Sequence, residues 1–214
     1  MTHEVDIEAL RGVSSAAISD ALDTLSRKQW VIAPPVRLVV GRQVFGRAVV
    51  VMMSPTGEKA LHKVGIKALD QSPEGSVIVL AGEPDPVACA FGAPEIAVAT
   101  RRKLGGLLTD CFVQTAAVLL GETVGVAAAG RSPAGGFGRF KTLVLAEATV
   151  CCGVTIEAGD LIVGDEDGIV VVPVKYIEKV GAIVGRYATR AARMVGEVDD
   201  GGSLQQAYDR HWEA

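Results

Sequence analysis

GVTIEAGDLIVGDEDGIVVVP, residues 153–173, is the stretch on which the fold turns. Its apolar residues come in short runs rich in Val and Ile, and each run is bounded by Gly, Asp or Pro. Runs of that length and chemistry read as β-strands separated by tight turns. GDEDG, residues 164–168, gathers three carboxylates between the strands LIV and IVVVP. A calcium loop needs a longer ligand series closed by a late Glu, which is missing, so an acidic β-turn is the reading. With TLVLAEATVCCG just before it, the segment predicts an all-β portion over residues 141–173.

Outward from there, the pattern alternates. SVIVLAG and GLLTD are short, wholly apolar runs ending near a polar residue, as expected of strands covered on both faces. Residues 49–53 form a third such run, and GVAAAG a fourth. Between them, GEKALHKVGIKALD has helical spacing, with Ala60, Leu61, Val64 and Ala68 inward and His62 and Lys63 outward. Pro94 suits the first turn of a helix running to about Arg102. VQTAAVLLG reads as a short helix or turn. The N-terminal segment, residues 6–28, reads as helix, with Ser14 or Ser15 able to cap its second part. Residues 174 onward read as one long helix followed by a polar tail, DDGGSLQQAYDRHWEA. The chain is therefore expected to be α/β, with a core over 30–173 and a C-terminal helix and tail over 174–214.

Composition narrows the function. The 214 residues are 49% hydrophobic, enough for a single domain spanning 1–214 with one sizeable core. The formal net charge of −4 argues against sequence-independent nucleic-acid binding, which needs a basic field. No apolar run reaches a membrane span, and the polar N-terminus lacks the regions of a secretory signal, so a cytoplasmic protein is expected. Cys89, Cys111, Cys151 and Cys152 contain no CxxC pair. If Cys151 and Cys152 lay on a strand they would face opposite sides. The four are read as small buried hydrophobes, not as a zinc site or a disulfide framework.

Two places could carry chemistry. RSPAGGFGRF and GEPDP match no phosphate-loop pattern. FGAPEIAVA, by contrast, is a Gly turn entering a helix, and such a turn can hold a small anion on backbone amides. GLLTDCFVQT ends an apolar strand on Asp110 and continues through Cys111, Gln114 and Thr115. A strand-end carboxylate can simply accept backbone hydrogen bonds. It can also serve as an acid or base if Phe91 and Phe112 wall it off from water. Cys111 is a candidate nucleophile with no His near it in sequence.

ISDALD, FGRAVVV, PEGSVIVLAG, GGLLTD, GRSPAG, the opening stretch and a terminal GGSL together resemble the RraA-like family. That family contains the class II 4-hydroxy-4-methyl-2-oxoglutarate / 4-carboxy-4-hydroxy-2-oxoadipate aldolases and the regulator of ribonuclease E activity A. The resemblance implies a swivelling β/β/α core, a homotrimer or a hexamer of two trimers, and a pocket between subunits. In the aldolases, magnesium or manganese holds a pyruvate-like oxo-acid and stabilises its enolate, while an Arg and the Gly-turn amides bind the carboxylate. The same electron sink serves oxaloacetate decarboxylation.

The resemblance also locates departures. Family aldolases carry Asp-Gly-x-x-Arg-Asp where this chain has Asp110-Cys111-Phe112-Val113-Gln114-Thr115. Gln114 stands in place of the Arg, and Thr115 in place of the metal-binding Asp. The turn persists as Gly92-Ala93-Pro94-Glu95, but Pro94 removes one amide donor. Thr is a poor ligand for magnesium, and Gln brings neither charge nor a bidentate fork. The expectation is a repurposed enzyme for a small oxo- or carboxylic-acid-type substrate with no metal cofactor. Asp110, Glu95 and Cys111 are its candidate catalytic groups. Gly92, Ala93, Pro94, Glu95, Gln114 and Thr115 are the candidate substrate-binding residues. Two alternatives stand beside it: a residual magnesium- or manganese-dependent lyase, and a non-catalytic regulatory oligomer.

Overall fold

A computed structural model describes residues 7–57, 62–114 and 124–212. A single 3-10 turn, Glu8–Leu10, precedes α1 (Ser15–Leu25). There follow β1 (Arg37–Val40), β2 (Val44–Pro55), α2 (Lys63–Gln71), β3 (Val77–Gly82), β4 (Cys89–Phe91), α3 (Ala93–Arg101), β5 (Gly106–Thr109) and β6 (Phe112–Val113). Next come β7 (Val126–Ala128), β8 (Gly130–Arg131), β9 (Phe140–Leu145), β10 (Ala148–Cys151), β11 (Val154–Glu157), β12 (Leu161–Gly164) and β13 (Ile169–Val172). The chain closes with α4 (Ile177–Asp199) and α5 (Leu204–His211).

One mixed sheet organises these elements, in the order β1-β7-β5-β3-β2-β12-β13, with β9 also paired to the long β2. Its centre, β2-β3-β5-β7, is parallel, and its flanks are antiparallel. Parallel strands need cover on both faces, and the alternation of β3 provides for it. Ile78 and Leu80 face the cluster closed by Leu69 of α2 and Ile96 and Ala99 of α3. Val77, Val79 and Ala81 face the opposite cluster, which is closed by Val154 and Ile156 of the β10–β11 hairpin. A third cluster packs Ile18 and Leu22 of α1 and Val180 and Val184 of α4 against β12 and β13. This is the expected α/β fold, a β/β/α core with a long C-terminal helix.

The backbone fits closely where β2 meets two turns. A Cβ on Gly105 would stand 2.1 Å from the Phe45 carbonyl oxygen and 2.4 Å from that of Gly75. Here the Phe45 amide donates to the Gly105 carbonyl at 2.9 Å, and the Gly105 amide donates to Ser76 at 2.8 Å.

The acidic turn of residues 164–168 works as a clasp. The Asp165 carboxylate accepts from the Ser15 amide at 2.7 Å, from the Ser15 hydroxyl at 2.6 Å and from the Asp167 amide at 3.0 Å. It therefore satisfies a first-turn donor of α1 from the far end of the chain and fixes that helix on the sheet. Burial pushes the carboxyl up, but the hydrogen bonds from Ser15, Asp167 and Gly168 outweigh it and hold it below its ordinary range. Asp165→Ala is expected to lose about 1–2 kcal/mol in urea unfolding at neutral pH. With the folded pKa depressed, the contribution is present above the ordinary carboxylate value and is lost as pH falls through the depressed one. The gap between Asp165→Ala and the parent should close in acid.

Three expectations need correction. The N-terminal helix is broken, because Gly12 takes φ +81° and α1 starts afresh with Ser14 accepting from the Ala17 amide at 3.2 Å. The polar tail contains a helix, α5, held on α4 by Trp212, which stacks with both Tyr187 and Tyr208. His62 does not stand clear of the protein: its ring packs on Phe140, 4.4 Å between centroids. Ala60 and Leu61, placed inward from sequence, lie outside the described residues, as does most of VQTAAVLLG. Among the described residues, no helix is long and apolar enough to cross a membrane.

Candidate functional site

The Gly92 turn is built where β4 feeds α3. β4, β6 and β8 form a small parallel sheet, so Phe91 and Val113 lie side by side and the residues that follow them meet. The Gln114 amide donates to the Phe91 carbonyl at 3.0 Å, which brings Gln114 beside Gly92. A Cβ on Gly92 would stand 3.5 Å from Gln114 Oε1 and 3.4 Å from Glu95 Oε2. Gly92, Glu95 and Gln114 thus share one place.

Two of these side chains are engaged by the protein's own backbone. Glu95 folds back so that its Oε2 accepts from the Gly92 amide at 2.8 Å. Gln114 donates through Nε2 to the Pro133 carbonyl at 2.7 Å. Pro94 contributes no amide. Of the turn's donors, Ala93 and Glu95 still offer main-chain N–H groups at the start of α3. His62 belongs to this neighbourhood and was missed in the sequence, where its spacing put it on the outer face of a helix. Burial pushes its imidazole below the ordinary range, against the pull of the Glu95 carboxylate. Its Nδ1 is buried with no hydrogen-bond partner among the described residues.

Asp110 lies at the end of β5, and among the described residues no hydrogen bond links it to Glu95 or Gln114. The residue is 7% exposed. Its Oδ2 accepts one long bond, 3.4 Å from the Gly82 amide, and its Oδ1 is buried with no partner among the described residues. Burial raises the carboxyl from the usual 3.8 to about 6, and the backbone bonds only partly oppose this. A strand-end carboxylate kept for structure would be better satisfied. Buried and under-bonded carboxyls of raised pKa are what acid–base sites use.

Cys111 is not built as a nucleophile. It is fully buried, its thiol is pushed up to about 12 mainly by that burial, and its sulfur lies 4.0 Å from Met53 Sδ. An activated thiol needs the opposite environment. Thr115 lies outside the described residues. Among the described residues, a cavity of about 340 Å³ lies near Lys28, Trp30 and Asp160, and another of about 530 Å³ between α1, α4 and Trp212. Neither is lined by Asp110 or the Gly92 turn.

Comparison with known proteins agrees with this architecture. A candidate 4-hydroxy-4-methyl-2-oxoglutarate aldolase from Halalkalibacterium halodurans is 29% identical over 175 residues, covering 79% of this chain and 78% of that protein. The crystal structure of an uncharacterized protein from Pseudomonas syringae pv. tomato superposes with a TM-score of 0.81 at 25% identity, covering 94% of this chain and 95% of the other. Streptomyces coelicolor RraAS2, an unusual member of the RNase ES inhibitor RraA protein family, gives 0.74 at 21% identity over 88% and 95% of the two chains, a likeness of fold. The family model for RraA-like proteins (Aldolase/RraA) matches residues 15–171, and the chain belongs to the RraA-like family.

Proposed function

We propose that this chain is an enzyme for a small oxo- or carboxylic-acid-type substrate that works without the divalent metal implied by the resemblance to aldolases. The reading is carried by the pair of bonds at the turn: Glu95 on the Gly92 amide and Gln114 on the Pro133 carbonyl. In an aldolase-like arrangement, that amide and the side chain at position 114 would hold the oxo-acid carboxylate. Here one amide is already neutralised by a carboxylate, and the side chain is neutral and tethered.

The described residues do not offer a set of ligands that fits magnesium or manganese. Among the described residues, no three His, Cys, Asp or Glu side chains are grouped to hold a metal ion. Gln114 is tied to a carbonyl, and Asp110 is a single buried carboxyl. Magnesium requires several hard, preferably charged oxygens in an octahedral set.

What remains is a proton-transfer arrangement. Glu95 holds Oε2 on the Gly92 amide and offers Oε1 to a substrate proton, while the Ala93 and Glu95 amides and Gln114 Oε1 orient the substrate. Asp110, deeper and titrating nearer neutrality, is the reserve acid of the site. The exposed apolar side chains of Leu143, Val144, Leu145 and Val150 support assembly into a homotrimer or hexamer, with the pocket completed between subunits. We place the assembly in the cytoplasm.

Turnover of a panel of small 2-oxo and hydroxy-oxo acids measured in excess chelator tests the reading. At least one is expected to react, with the rate falling about a hundredfold or more in Glu95→Gln. Turnover that appears only on adding magnesium or manganese would overturn it. No turnover of any acid would favour a non-catalytic regulatory oligomer.

A further inference from the structure

The β10–β11 hairpin closes through only two residues, Cys152 and Gly153, since Cys151 pairs with Val154. Both turn residues have positive φ, +43° at Cys152 and +85° at Gly153. Two-residue hairpin turns with positive φ at both positions favour Asn-Gly or Gly-Gly. A cysteine there is out of type and calls for a reason beyond the turn.

The conformation has a chemical consequence. On a continuous strand the two thiols would face opposite sides. The left-handed turn instead brings the Cys152 side chain round, so that it packs against the same cluster that buries Cys151. Cys151 is fully buried in the cluster beneath the central sheet, while Cys152 packs on its edge and is partly exposed. The pair therefore has one thiol that a small oxidant can reach and one held behind it.

We propose that Cys151 and Cys152 form a peroxide-sensitive dithiol that closes reversibly into a disulfide between adjacent residues. The Cys152 thiolate attacks one oxygen of hydrogen peroxide, the O–O bond breaks, and a sulfenic acid forms on Cys152 while hydroxide leaves and is protonated to water. The Cys151 sulfur then attacks the Cys152 sulfur and loses its proton, and the sulfenic hydroxyl leaves as a second water. Two thiols are oxidised by two electrons and one peroxide is reduced to two waters.

The order of roles follows from the local environment. Cys152 is the partly exposed thiol and its Cys151 neighbour holds it below its ordinary range, whereas Cys151 is buried and pushed strongly up by that neighbour and by burial. Cys89 and Cys111 are both buried with raised thiols and have no thiol partner in the neighbouring position. Adjacent Cα atoms lie about 3.8 Å apart, below the roughly 4.4 Å at which ordinary disulfides begin, so closure must reshape the turn. Disulfides of that kind are readily reduced by cellular thiols, as a switch requires. The Asp110 carboxylate acts electrostatically on both thiols, so the dithiol lies within the field of the candidate site. The proposal does not depend on which reaction that site performs.

The test is mass spectrometry of the full-length protein after graded hydrogen peroxide, with alkylation of remaining thiols. The peptide carrying Cys151 and Cys152 is expected to lose two hydrogens before Cys89 or Cys111 changes, and dithiothreitol should restore it. In Cys151→Ser the reaction should stop at a sulfenic acid on Cys152 that dimedone traps. Cys152→Asn, which keeps a turn-compatible residue, should abolish oxidation at Cys151. Prior oxidation of Cys89 or Cys111, a disulfide between two chains, or unchanged Cys151 oxidation in Cys152→Asn would each overturn the proposal.

Discussion

Gly105→Ala is expected to destabilise the protein by about 3 kcal/mol, a drop of roughly 6–12 °C in Tm for a chain of this size. The added methyl would meet two backbone carbonyls, 2.1 Å from Phe45 and 2.4 Å from Gly75, and neither is the far end of a flexible side chain. Relief requires separating β2 from the turns before β3 and β5, which breaks the 2.9 Å bond from Phe45 and the 2.8 Å bond to Ser76. Those bonds set the register of the parallel centre of the sheet. Gly181→Ala is the control, because its Cβ meets nothing within 4 Å and it lies inside α4. It should be neutral or stabilising by up to about 1 kcal/mol. Thermal unfolding of both variants beside the parent separates close packing from a general intolerance of glycine replacement.

Asp110→Asn should act in the opposite direction, raising stability at neutral pH by about 1–3 kcal/mol while impairing activity. Burial raises the carboxyl from 3.8 to about 6, so between those values the folded protein holds a proton that the unfolded chain releases. Stability from this group is therefore fully present below the unfolded value and is lost as pH rises through the folded one. Above pH 6 the fold carries a buried charge whose Oδ1 has no partner among the described residues. Asparagine keeps the shape and removes the charge. Urea unfolding at pH 4.5 and pH 7.5 should show the advantage of Asp110→Asn growing with pH. A variant less stable than the parent at both values would mean that Asp110 is a structural acceptor after all. A stabilising change that damages function is the mark of a site residue.

The strands were legible because β-branched runs bounded by Gly and Pro leave few alternatives, as β3, β5 and the β12–β13 pair show. Pro94 located the start of α3 for the same local reason. The break at Gly12 was harder, since one glycine within a helical pattern is compatible with either outcome. α5 carried an unused signal: Leu204, Ala207, Tyr208 and His211 repeat at helical spacing behind Ser203. At the site, the Gly turn before a helix and the resemblance to the family brought Gly92, Glu95 and Gln114 under suspicion, but only the pairing of β4 with β6 makes them neighbours. Nothing in the sequence places His62 against Phe140, because that contact depends on how elements pack. The two thiols at residues 151 and 152 were assigned opposite faces on the assumption of a continuous strand, and the left-handed turn at Cys152 removes that assumption.

The most direct test of a metal-free site is calorimetric titration of chelator-stripped protein with magnesium and manganese, with and without oxalate, a mimic of the pyruvate enolate. The expected result is no metal-dependent oxalate binding, because Glu95 occupies the Gly92 amide and Gln114 is tied to Pro133. Tight oxalate binding that requires the metal would contradict the central claim and return the protein to the metal-dependent aldolases.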